Sequence, residues 1–98
     1  MDTILYEQNL NKMCQQISKV SSSIILHAIV NYYNWDDGPE SMIAALNNPM
    51  CAVITFMEMF ELMEGDYWLK QTENELDGSS CKQQWREMAE KLKVKLEL

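Results

Sequence analysis

Apolar residues in this chain recur at alternating steps of four and three, and that spacing commits a chain to helices. Tyr6, Leu10, Met13, Ile17 and Val20 set the pattern first, as a stripe along one helix face. Asn9, Lys12, Gln16 and Lys19 fall elsewhere on the wheel. The serine run at 21–23 interrupts the stripe and offers a cap for the next helix. Residues 24–33, IILHAIVNYY, are apolar nearly all round, which predicts a helix buried by its neighbours; a short buried strand is the competing reading.

Punctuation along the chain agrees with helices. In the stretch NYYNWDDGPE, Pro39 suits the first position of a helix, with Asp36, Asp37 or Gly38 at or before its N-cap. That helix runs through Met42, Ile43 and Leu46 to about Asn47. Asn48-Pro49 repeats the device, Asn48 as cap and Pro49 as first residue, for a helix through Val53, Ile54, Phe56, Met57, Phe60 and Met63. Gly65 closes this most hydrophobic segment of the chain. DYWLKQ can continue helically, NELDGSS is turn-like, and Ser80 with Gln83 fits a capping box. Trp85, Met88, Leu92 and Leu96 then share a face. The tail KLKVKLEL also alternates as a strand would, but it has no evident partner strand, so a helix with a frayed end is expected. The fold class expected is all-α: a compact bundle of about five short helices, one domain over residues 1–98. A hydrophobic content of 47% argues against disorder.

Charge narrows the partners. The net charge of −7 comes from the middle of the chain, because residues 36–77 hold ten acids against Lys70 alone. Residues 1–35 balance, and 78–98 are slightly basic. Such a middle repels phosphate backbones and attracts basic proteins, so no nucleic-acid partner is expected. No apolar run is long enough to span a bilayer, and MDTILYEQ lacks the basic start and apolar run of a signal peptide. Cys14, Cys51 and Cys81 are odd in number and far apart, which disfavours a disulfide framework or zinc site. The expectation is a soluble cytoplasmic protein with reduced thiols and no membrane partner.

Signatures of catalysis are missing. His27 stands alone in an apolar helix, where a hydrogen-bonded packing role is the ordinary one. Asp36-Asp37 lacks the alternating ligands of a calcium loop, no glycine-rich phosphate loop occurs, and no nucleophile elbow occurs. Cys51 could have its thiol activated at a helix start, but its small apolar neighbours favour burial. No enzyme, metal or cofactor is expected.

Binding features are richer. Glu58, Glu61 and Glu64 step by three along one side of the fourth helix and Asp66 extends them, with no lysine between to relieve like-charge repulsion. The plain alternative is a solvated face opposite Phe56, Met57, Phe60 and Met63. Met50, Met57, Met59 and Met63 crowd the same helix, as core filling or as an adaptable groove. Tyr67 and Trp68 follow the acids, and aromatics so placed serve as interface anchors.

Asn34-Trp35-Asp36-Asp37-Gly38, followed by Pro39, a short helix and Asn48-Pro49-Met50-Cys51, resembles a family of small uncharacterised bacterial domains that share an Asn-Trp-Asp-Asp-Gly loop. The likeness covers roughly residues 25–68 and departs after Cys51, where the family has Asp-Leu-Gly and this chain has Ala52-Val53-Ile54. It implies a structural loop of Asn34, Trp35, Gly38 and Pro39, with Trp35 anchoring it and Asp36 and Asp37 tying off helix starts. In size, charge and style the chain is also similar to immunity proteins of bacterial polymorphic toxins, including those of contact-dependent growth inhibition. The implied function is to bind a cognate toxin, such as a basic nuclease, through Asp36, Asp37, Glu58, Glu61, Glu64, Asp66, Tyr67 and Trp68. A small helical adaptor without a toxin partner is the alternative.

Overall fold

Side-chain caps decide where the first helices begin. The computed structural model describes residues 9–98, the side chain of Glu73 excepted. Asn9 accepts a hydrogen bond from the Lys12 backbone N–H at 3.1 Å and opens α1, Leu10–Ser18. Ser22 does the same for the Ile25 N–H at 3.3 Å and opens α2, Ser23–Tyr32. Each such cap satisfies one otherwise orphaned N–H and contributes about 1 kcal/mol. Tyr6, part of the expected first stripe, lies outside the described residues.

Residues 33–39 form a self-bonded turn. Asn34 accepts from the Asp36 N–H at 3.2 Å and caps a single 3₁₀ turn, Trp35–Asp37. The Tyr33 hydroxyl donates to the Gly38 carbonyl at 2.8 Å, and the Trp35 indole N–H donates to the Val30 carbonyl at 3.1 Å. Gly38 has φ of 107°, a conformation that a side chain would resist. Pro39 is fully buried and takes the cap position of α3, Glu40–Asn47, one residue earlier than the first helical position expected for it. Asp36 and Asp37 do precede that cap, yet no side chain bonds the helix start, so they do not tie it off.

Asn48-Pro49 corrects a second expectation. Neither residue starts a helix; Asn48 ends α3, and α4, Val53–Leu62, begins after Ala52 with no side-chain cap. The amide of Asn48 is committed elsewhere. It is buried, and its Nδ2 donates to the carbonyls of Ile17 at 2.9 Å, Ser18 at 3.3 Å and Val20 at 2.8 Å, while its Oδ1 accepts from the Met50 N–H at 2.8 Å. The Ile17 carbonyl also accepts the Val20 N–H at 3.2 Å, so the amide's main service is to the carbonyls of Ser18 and Val20 at and just beyond the end of α1. A residue from α3 therefore finishes a helix about 30 positions earlier, and that long-range demand overrides local capping.

Three more helices complete the chain: α5, Gly65–Leu69; α6, Glu73–Leu76; and α7, Ser80–Leu96. The turn-like NELDGSS contains α6, held by a capping box in which Thr72 accepts from the Glu75 N–H and Glu75 accepts from the Thr72 N–H. Ser79 rather than Ser80 caps α7, through the Lys82 N–H at 3.4 Å. The tail is helical to Leu96. Its period-two pattern does not track burial, since Leu92 is enclosed and Val94 is exposed. The described residues are thus all-α, with five longer helices and two short ones, and no strand.

The core joins two groups of helices. α1 packs on α3; α4 and α5 pack on α7; α2 bridges the groups by touching both α3 and α4. Ile17, Leu26, Ile29, Val30, Met42, Leu46, Met59, Met88 and Leu92 meet in the centre with almost no exposure. Enclosing a side chain of this size is worth roughly 1.5–3 kcal/mol. His27 joins α2 to α4, its Nδ1 lying 2.9 Å from the hydroxyl of fully buried Thr55. No helix among the described residues is long and apolar enough to cross a membrane.

Candidate functional site

A left-handed residue and a close approach at the end of α4 shape the site. Glu64 adopts the left-handed conformation, φ 57° and ψ 55°, where glycine is the usual choice. The adjacent glycine, Gly65, is needed for another purpose: the Phe60 ring lies where its Cβ would be. One glycine cannot serve both positions, so Glu64 carries strain of about 1 kcal/mol. The chain then turns sharply into α5 and sets Trp68 against α7.

There the aromatic side chains form a continuous row. Tyr33 meets Trp35 edge-on at 5.9 Å between centroids, Trp35 meets Trp85 at 6.0 Å, Trp85 stacks with Trp68 at 6.2 Å, and Trp68 meets Tyr67 edge-on at 5.1 Å. Contacts of this geometry add about 0.5–1.5 kcal/mol each beyond simple burial. The row ties the 33–39 turn to α5 and α7. Trp35 is held there by its hydrogen bond to the Val30 carbonyl and by contacts with the Tyr33 and Trp85 rings.

An open cleft of about 300 Å³ lies along this row, lined by Trp35, Trp68 and Trp85 with Leu62, Met63, Gly38 and Cys81. Asp36 and Glu64 stand on it as well. All three tryptophans of the chain thus face one cleft, with two carboxylates beside them. Of the residues singled out from the sequence, Asp36, Glu64 and Trp68 converge here, together with Trp35 and Gly38 of the structural loop.

The remaining candidates separate from that group. Asp37 turns back on its own loop, its Oδ1 accepting from the Asn34 amide at 3.4 Å. Asp66 and Tyr67 are exposed in α5, next to the cleft in sequence but not part of its lining. Glu58 and Glu61 belong to the outer side of α4, and that side is not the purely solvated face of the plain alternative. Val53, Ile54 and Met57 are 57–63% exposed, so Met57 lies with Glu61, four residues on, rather than opposite it. The buried face of α4 is Thr55, Phe56, Met59 and Met63. The methionines divide likewise: Met59 and Met63 fill the core, Met50 and Met57 are exposed.

The basic tail does not reach the cleft. Lys95 lies over the Phe56 ring at 5.1 Å, at the start of α4, whereas Trp85 and Cys81 of α7 meet Leu62 and Met63 at its end. The two helices are antiparallel, and ten residues of helix put ~15 Å between Trp85 and Lys95. Ion pairs among the described residues join Lys82 to Asp77 and Arg86 to Glu90, both at 3.3 Å, and leave Asp36 and Glu64 out. Cys51 is half-buried, and burial pushes its thiol up to about 11 although the Lys95 ammonium acts the other way, so it is not an activated thiol. No three His, Cys, Asp or Glu side chains among the described residues are grouped to hold a metal ion. Leu62 and Cys81 are cleft residues that periodicity missed, and Trp85, which it placed on a core face, joins the cleft only because the docking of α5 brings Trp68 to it.

Fold and cleft together define a small all-α protein with an acidic, tryptophan-walled recess. The chain belongs to the DUF4274 family, a domain of unknown function, whose model matches residues 21–97 and so spans α2 to α7 and the whole cleft. No curated protein and no solved structure matches the chain.

Proposed function

We propose that this is a non-enzymatic cytoplasmic immunity protein, which binds a cognate bacterial toxin domain with a basic surface and blocks it. The similarity of its size, charge and style to immunity proteins of bacterial polymorphic toxins prompts the reading. One observation carries it: Asp36 and Glu64 flank a tryptophan-walled cleft and are left out of the ion pairs among the described residues. Acids held this way have no ion pair to break before an incoming cation engages them, and aromatic walls supply the contact area of an interface anchor. The excess of acid in residues 36–77 steers a basic partner toward the same region. In this reading Asp66, Tyr67, Glu58 and Glu61, which lie outside the cleft lining, serve as secondary contacts. Co-expression with a neighbouring toxin gene tests the proposal. Growth should be rescued by the wild type and not by Asp36→Lys/Glu64→Lys, and toxin affinity should fall steeply with added salt. Unchanged killing, or affinity indifferent to both salt and charge reversal, rejects it.

The adaptor alternative is favoured by a different feature, the exposed Val53, Ile54 and Met57 of α4. An adaptor working through that strip loses its partner in Ile54→Ser/Met57→Ser and keeps it in the charge-reversed variant. An immunity protein working through the cleft shows the reverse.

A further inference from the structure

We infer that the tryptophan cleft receives a single arginine side chain of the basic partner, an assignment that rests on the function proposed above and specifies its central contact. At about 300 Å³ the recess is at the lower limit of small-ligand pockets, which suits one long side chain better than a folded element. Its walls are of two kinds. Trp35, Trp68 and Trp85 present indole surface, the best aromatic partner for a cation, and Asp36 and Glu64 present carboxylates. A guanidinium answers both at once. Its plane lies against an indole while its N–H fork donates to a carboxylate, and its weak hydration makes it easier to bury than an ammonium. Lysine satisfies the charge but neither the plane nor the fork.

The first turn of α7 also reaches the cleft at Cys81, and a helix N-terminus opposes a cation with about half a unit charge. Two whole carboxylates outweigh that half charge. Ser79 further satisfies one of the exposed N–H groups there. The two bases adjacent in sequence to lining residues, Lys82 and Arg86, are engaged with Asp77 and Glu90.

Because all three tryptophans line the cleft, their indole N–H resonances form a local reporter. N-acetyl-arginine amide titrated into the ¹⁵N-labelled protein should shift these signals saturably. N-acetyl-citrulline amide, which keeps the shape and loses the charge, should leave them in place, and the lysine analogue should bind at least a few-fold more weakly. Asp36→Asn/Glu64→Gln alters two exposed side chains and should weaken the arginine response about tenfold or more while the rest of the spectrum holds. No saturable shift, equal shifts with citrulline, or an undiminished response in the double variant overturns the assignment. Toxin binding that is then still salt-sensitive and lost on charge reversal leaves the proposed function standing without the arginine contact, so the two failures are distinguishable.

Discussion

Asn48 and the tryptophan cleft use polar groups in opposite ways. At Asn48 a buried amide meets three carbonyls and one N–H, with donors and acceptor all engaged across α1 and α3. At the cleft, Asp36 and Glu64 are exposed and outside the ion pairs among the described residues, although Trp35 beside them is fixed by a hydrogen bond and two ring contacts. A satisfied buried group specifies architecture, because removing it strands its partners. A rigid frame holding unengaged charge at the surface contributes little to stability and is free to serve recognition. Substitutions should therefore move stability in one region and binding in the other.

The largest effect belongs to Asn48→Ala, which strands the carbonyls of Ser18 and Val20 and should cost about 3 kcal/mol in urea unfolding. A cost below about 0.5 kcal/mol would mean that water replaces the amide and that the contrast fails. Next is Gly65→Ala, whose methyl group meets the Phe60 ring and should cost about 2 kcal/mol. Phe60→Leu in the same chain should recover part of that loss, as a thermal melt would reveal.

Alkali probes the frame of the cleft itself. Burial pushes the Tyr33 phenol from 10.0 up to about 12. The unfolded chain ionises first, so this phenol favours folding below pH 10.0, and the contribution disappears as pH rises from there to about 12. About 2–3 kcal/mol should vanish over that interval, and Tyr33→Phe should flatten this part of the stability profile. A residual slope starting at pH 9.0 is expected from Cys51, whose thiol is raised in the same sense.

Two cleft substitutions have the smallest effects on stability and sharpen the comparison most. Glu64→Gly relieves the left-handed backbone and should stabilise the fold by about 0.5–1 kcal/mol while weakening partner binding. Asp36→Asn/Glu64→Gln should leave stability within about 0.5 kcal/mol and lower the affinity for a basic partner. Measuring unfolding and binding on the same two proteins separates the roles.

The helical class was legible in the sequence because the spacing of Leu10, Met13 and Ile17, and of Trp85, Met88 and Leu92, is a local property. The existence of α2 and α3 followed from the serine run and from Gly38-Pro39 for the same reason. What periodicity could not convey was competition between distant demands. Asn48 looked like a helix cap because Asn-Pro usually is one, but the open end of α1 claims its amide. Met57 looked buried because it is apolar, but α2 and α7 cover only one side of α4 and leave Val53, Ile54 and Met57 outside. The cleft was half legible. Asp36, Glu64 and Trp68 stood out by charge and type, whereas Trp85 joins them only through the docking of α5 on α7.

Asn48 has one further consequence, in the chemistry of ageing. Asparagine side chains are lost over time when the next residue's backbone nitrogen attacks the amide carbon and closes a succinimide ring. Here the next residue is Pro49, whose nitrogen carries no hydrogen and cannot close that ring in the usual way. Hydrolysis to aspartate would set a negative charge against three carbonyl oxygens and prise α1 from α3. The proline that begins no helix shields the joint from this slow chemical decay.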